Sequence, residues 1–174
     1  MLTVTSFSAA DVIRACKVWG ADLQYIPDNL DAIQLMWAFA NKESTHEKPG
    51  FFGCKPRYEP AYFTGGIYGA TDQMKTLISL FGVDAACSYG PWQVMLCNAP
   101  KWKPDDFQYI DICAEAFVGY LNDRSRKHRP QNLYEFGQLY NGGHISIPPD
   151  QPLPQVQKYC QVLEQCYKLP IPEQ

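Results

Sequence analysis

The chain has 174 residues, 46% of them hydrophobic and 14% aromatic, and a formal net charge of −3. That length and apolar content suit one compact domain, residues 1–174, with a single core, and exclude extensive disorder. The slight acidity excludes bulk electrostatic binding to nucleic acid, since the longest basic run, Arg124-Ser125-Arg126-Lys127-His128-Arg129, reads as the solvated end of a helix.

No stretch approaches the roughly 20 apolar residues of a membrane-spanning helix, so membrane insertion is not expected. Met1-Leu2-Thr3-Val4-Thr5-Ser6-Phe7 lacks the basic and long apolar segments of an export signal, which implies synthesis in the cytoplasm. The seven cysteines, at 16, 54, 87, 97, 113, 160 and 166, include no Cys-x-x-Cys pair. Several fall on apolar faces, as buried thiols in a reducing compartment would.

Ser8 is placed to cap a first helix carrying Val12, Ile13, Cys16 and Trp19, ended by Gly20. A second helix runs from Leu30 to Glu43, opened by the polar Pro27-Asp28-Asn29. At about 100° per residue, Ile33, Met36 and Ala40 share one face, and Glu43 falls inside that apolar arc. Partial desolvation and the negative end of the helix dipole would both favour a protonated Glu43, the state of a general acid.

Residues 44–70 break into Gly, Pro and aromatics and read as loop with a short hairpin between Phe51 and Ile67. Thr71 caps a helix through Met74, Leu77, Ile78 and Phe81, stopped by Gly82. Ser88-Tyr89-Gly90-Pro91 forms a turn before a short helix from Trp92 to Cys97. Pro104-Asp105-Asp106 starts the longest helix, with Tyr109, Ile112, Cys113, Ala116, Phe117, Tyr120 and Leu121 as its core stripe. Asn132 caps a helix through Phe136 and Tyr140, terminated by Gly142-Gly143. A proline-rich link, residues 147–154, leads to a last helix through Val156, Tyr159, Cys160, Leu163 and Tyr167. The expected fold class is mainly α, with at most a small β-hairpin.

Three segments then stand out in order: Lys42-Glu43-Ser44 at a helix end, Ser88-Tyr89-Gly90-Pro91-Trp92-Gln93-Val94-Met95, and Leu139-Tyr140-Asn141-Gly142-Gly143. Together they resemble the lysozyme-like superfamily of goose-type lysozymes and lytic transglycosylases. With Arg57-Tyr58-Glu59-Pro60-Ala61-Tyr62-Phe63 added, most of the chain looks like the phage-type N-acetylmuramidase family. The resemblance implies an α+β lysozyme-like domain that cleaves bacterial peptidoglycan between N-acetylmuramic acid and N-acetylglucosamine. Glu43 would be its general acid, Ser88, Gln93 and Met95 would line the saccharide cleft, and Tyr140 would reach Glu43 or the sugar at the cleaved bond. The resemblance calls for no cofactor and no metal, and it suits a monomeric lysin of a phage, a virion-borne lysin or a secreted effector.

The residues themselves extend this set. Glycoside cleavage usually needs a second carboxylate, for which Glu59 is the candidate, against the reading of an ion pair with Arg57 or Lys55. Tyr58, Tyr62, Tyr89 and Trp92 are candidates to stack on sugar faces, Asn141 to contact the sugar or instead to cap or orient the helix end, and Gln93 to bind an N-acetyl group or cap a turn. If Glu59 lies elsewhere, Glu43 can serve as acid and then base, releasing 1,6-anhydro products as a lytic transglycosylase does. Other readings stay open: a chitinase or chitosanase, a glycan-binding or phage structural protein that does not cut, and a Cys-His amidase using Cys54 with His46 or Cys87 with His144. The scattered histidines lack zinc-site spacing.

Overall fold

The computed structural model describes residues 6–48, 51–146 and 151–173, with the side chains of residues 45–48 outside that description. The fold is mainly α, with two short antiparallel sheets. No described helix is long and apolar enough to cross a membrane.

Helix α1 (Ala9–Trp19) begins at Ser8, whose side chain accepts from the Asp11 amide while Asp11 returns a bond to the Ser8 amide, a complete capping box. Helix α2 (Ala32–Glu43) starts two residues later than its sequence pattern implies. Asp31, not the Pro27-Asp28-Asn29 segment, caps it by accepting from the Gln34 amide. Leu35 to Ala40 are all buried, so α2 is enclosed on every side and forms the central rod of the domain. It ends where Ser44 turns extended and donates its hydroxyl to the Ala40 carbonyl at 2.6 Å.

Helix α3 (Asp72–Phe81) is capped by Thr71 and stopped by Gly82, which takes φ +59°. A 3-10 turn at Pro104–Gln108 precedes the long helix α4 (Ile110–His128). The chain breaks between them at Tyr109, which is exposed rather than part of the core stripe, and Ile110 fills the buried position. Helix α5 (Leu133–Gly142) is capped by Asn132 and ends at Gly143 in the left-handed conformation. Helix α6 (Pro154–Tyr167) packs along both α2 and α5. Of the proline-rich link before it, residues 147–150 lie outside the described structure.

The β structure exceeds the single hairpin that the sequence suggested. One sheet has the order β1 (Ser6–Ser8), β3 (Phe51–Gly53), β2 (Thr45–Lys48), with Phe7 opposite Phe52 on the core side. The other has β4 (Arg57–Tyr58), β5 (Cys87–Tyr89) and β6 (Val94–Met95) in that order. The helix expected from Trp92 to Cys97 is therefore a turn followed by strand β6 and a 3-10 turn at Leu96–Asn98. Tertiary pairing with β5 overrides the apolar run that reads as helix.

All seven cysteines are free thiols, and five are buried. Burial pushes Cys16 and Cys54 up to about 12, and raises Cys113 and the phenols of Tyr140 and Tyr159 well above their ordinary values. In the unfolded chain these groups ionise at about 8.5 for a thiol and about 10 for a phenol. Their contribution to stability is thus complete below about pH 8.5 and is lost as pH rises toward the folded values. Under reducing conditions the denaturant midpoint should hold near neutrality and fall steadily between about pH 9 and pH 11. A midpoint flat across that range would contradict the burial of these groups.

Candidate active site

Glu43 occupies the last turn of α2, where the enclosed helix emerges beside the second sheet. Its side chain is only 5% exposed. The Tyr159 hydroxyl of α6 donates to its Oε1, and the Arg57 guanidinium of β4 lies 3.8 Å from its Oε2. Each carboxylate oxygen thus faces one donor from a different element. Burial, and then the charge of Glu43, hold the Tyr159 hydroxyl well above its ordinary pKa, so it stays a donor throughout the physiological range. The Lys42 ammonium lies 4.2 Å from the Tyr159 ring centre, pinning the ring from outside.

Arg57 also donates through Nε to Glu59 Oε1 at 2.6 Å. Desolvation works against its charge, but the Glu59 hydrogen bond and the charges of Glu43 and Glu59 outweigh that and raise its pKa. One guanidinium therefore spans both acids, which keeps their carboxylates within the outer limit of about 9.5 Å found in two-carboxylate glycosidases. The ion pair weighed for Glu59 is formed, and it lies beside Glu43 rather than away from it.

Two pockets meet at this point. The first, about 190 Å³, is lined by Glu43, Arg57, Glu59 and Tyr62 and by Ser88, Gln93, Val94 and Met95, with Asn98, Tyr120, Tyr140 and Asn141 completing it. The second, about 330 Å³, is lined by Lys55, Pro56 and Tyr58 and shares Glu43, Arg57 and Gln93 with the first. The buried acid stands at their junction. The second sheet explains the lining: Arg57, Ser88 and Met95 are cross-strand partners, so their side chains fall in one row on one face.

Gln93 sits at the same junction with φ +50°, a conformation uncommon for any residue but glycine and costing of order 1 kcal/mol. Its amide is held on both ends, accepting from Ser88 Oγ at 2.9 Å and donating to the Gly90 carbonyl at 2.9 Å. One amide hydrogen of Nε2 remains to face the pockets. Gly90, at φ +73°, is required here, because a Cβ would lie 2.7 Å from Cys113 Sγ. Turn and helix α4 are packed in contact at this position.

Of the residues singled out in the sequence, Glu43, Glu59, Ser88, Gln93, Met95, Tyr140 and Asn141 share the first pocket, and the exposed Tyr58 lines the second. Two do not reach either. Trp92 is fully buried, stacks on Phe117 and donates to the Met36 carbonyl at 2.9 Å. Tyr89 is buried against Phe107, with its hydroxyl given to the Asp84 carbonyl. Both are core residues: strand alternation turns Tyr89 away from the row that contains Ser88 and Met95, and Trp92 lies in the turn between β5 and β6 with its ring buried in the core. Tyr140 lines the pocket, but its hydroxyl donates to the Trp92 carbonyl and not to Glu43. Tyr159, assigned from its stripe to the core, takes that place.

The cysteine rivals are poorly placed for nucleophilic work. Cys54 and Cys87 have pKa values raised by burial, the reverse of an activated thiol. His144 bonds the Gly142 carbonyl, and the His46 side chain lies outside the described residues. Among the described residues no group of three or more His, Cys, Asp or Glu side chains gathers to hold a metal ion. Comparison with protein-family models, with curated proteins and with solved structures finds no match in any of the three.

Proposed function

We propose that the chain is a glycoside hydrolase acting on the glycan strands of bacterial peptidoglycan, cutting between N-acetylmuramic acid and N-acetylglucosamine, with Glu43 as general acid. The observation that carries this reading is the buried Glu43 carboxyl at the junction of two pockets, with a second carboxylate one guanidinium away. A strand lying through both pockets brings a glycosidic oxygen to Glu43, with one sugar on either side. Glu43 protonates the leaving oxygen while positive charge develops at the anomeric carbon, and the carboxylate of Glu59 activates water from across the ring. Tyr159 and the end of α2 hold the acid in place for that transfer.

One feature favours a second outcome. Glu59 is committed to Arg57 at 2.6 Å, and if that pair persists with substrate bound, Glu43 must act as acid and then as base. The muramyl 6-hydroxyl would then displace the leaving group and give a 1,6-anhydro end, the product of a lytic transglycosylase. Mass spectrometry of purified sacculi digested by the protein separates these routes. Reducing muropeptides ending in N-acetylmuramic acid would assign the hydrolytic route, and anhydro ends the second route. Intact glycan strands would overturn both, in favour of an amidase or a protein that binds glycan without cutting it.

A further inference from the structure

The two pockets that meet at Glu43 differ in charge. The one beyond β4 is lined by two cations, Lys55 and Arg57, with Glu43 only at its inner end. The other adds Glu59 to Glu43 and is otherwise lined by neutral side chains apart from Arg57 itself. Lys55 is exposed and has no acidic partner among the described residues. Arg57 spends Nε on Glu59 and turns Nη2 toward Glu43, leaving Nη1 without a hydrogen-bond partner among the described residues. An uncharged sugar has no use for an unpaired ammonium and an open guanidinium edge, whereas a carboxylate does. Beside these cations Tyr58 is exposed and makes a T-shaped contact with Phe63, with ring centres 6.0 Å apart; such a contact covers at most one face of the Tyr58 ring, which leaves the other for a pyranose ring.

We propose that the pocket lined by Lys55, Arg57 and Tyr58 binds a sugar bearing a carboxylate substituent, and that this contact sets the direction in which the glycan strand crosses Glu43. The inference rests on the peptidoglycan reading above and deepens it. N-acetylmuramic acid differs from N-acetylglucosamine by a lactyl ether that ends in a carboxylate. That group fits the pocket carrying Lys55 and is disfavoured in the other, which carries the Glu59 carboxylate instead. The muramyl residue then lies on the Lys55 side and the N-acetylglucosamine residue on the side of Asn98, Asn141 and Glu59. This orientation keeps Glu59 away from the muramyl anomeric carbon and so goes with the second route above, in which the muramyl 6-hydroxyl displaces the leaving sugar. The same contact distinguishes peptidoglycan from chitin.

The test measures binding of two soluble glycans of equal length to protein carrying Glu43→Gln, which prevents turnover. One is a peptide-free strand alternating N-acetylmuramic acid and N-acetylglucosamine, and the other is an N-acetylglucosamine oligomer. The lactyl-bearing strand should bind more tightly, and the preference should shrink as salt is raised. Adding Lys55→Gln should lower the preference about threefold and Lys55→Glu about tenfold, the scale expected for one exposed charge pair and its reversal. Lys55 is on the surface, so thermal melts should match the parent. Equal affinity for both glycans, or a preference untouched by either substitution, overturns the carboxylate site and leaves the hydrolase reading standing. Binding of neither glycan, with no cleavage of either by wild type, overturns both.

Discussion

Replacing Glu43 with glutamine is expected to abolish lysis of purified sacculi, with a loss of at least 10²- to 10⁴-fold, the range a positioned general acid contributes. Glutamine keeps the size and shape of the side chain, and its carbonyl can still accept from the Tyr159 hydroxyl that now holds Oε1. What it lacks is a transferable proton, so the chemistry fails while the fold survives. Arg57 retains its shorter bond to Glu59, so its guanidinium keeps a carboxylate partner when the Glu43 carboxyl is replaced. The melting temperature should therefore stay within a few degrees of wild type, and glycan binding should persist. Lysis by Glu43→Gln at the wild-type rate would remove Glu43 from the mechanism.

Tyr159→Phe is expected to lower kcat by about ten- to a hundredfold with little change in KM. A hydrogen bond to an ionisable group contributes about 1.5–3 kcal/mol, and in this site it fixes the position of the one carboxyl that must meet the glycosidic oxygen. Phenylalanine preserves the ring that lies under Lys42 and beside Tyr140, so packing is largely conserved. Tyr159 touches the acid and neither pocket, which makes it a positioning residue. Steady-state kinetics on a soluble glycan separate this role from a structural one. A purely structural role would lower the melting temperature and leave kcat per folded molecule unchanged.

Local signals for most helix ends are present in the chain. Ser8, Thr71 and Asn132 cap because each side-chain oxygen needs only an amide three residues on, and Gly82 and Gly143 stop helices because they accept a left-handed backbone. The apolar arc through Met36 and Ala40 likewise placed Glu43 where solvent is excluded. Arg57 and Glu59 carried a readable sign too, since residues two apart in an extended segment share a face, and the pair could have been taken as a bridge rather than as a rival to catalysis. The run from Trp92 to Cys97 misled because its strand exists only through pairing with β5, after a turn that bends Gln93 into an unusual conformation.

By itself, then, the sequence determined a mainly helical domain, most of its helix caps and stops, and an acid at the end of an apolar helix. These depend on contacts within about four residues, and local spacing encodes such contacts directly. Only the tertiary structure decided what meets that acid. Tyr159 is 116 residues away and reaches Glu43 because α6 lies along α2, while Arg57 reaches it because β4 joins β5. The stripe that buries Tyr159 is indistinguishable in sequence from ordinary core, and the same pairing that brings Ser88 and Met95 to the pockets turns Tyr89 inward. Which face of a strand or helix becomes a wall of the site is settled by the packing of distant elements, and local spacing does not record it.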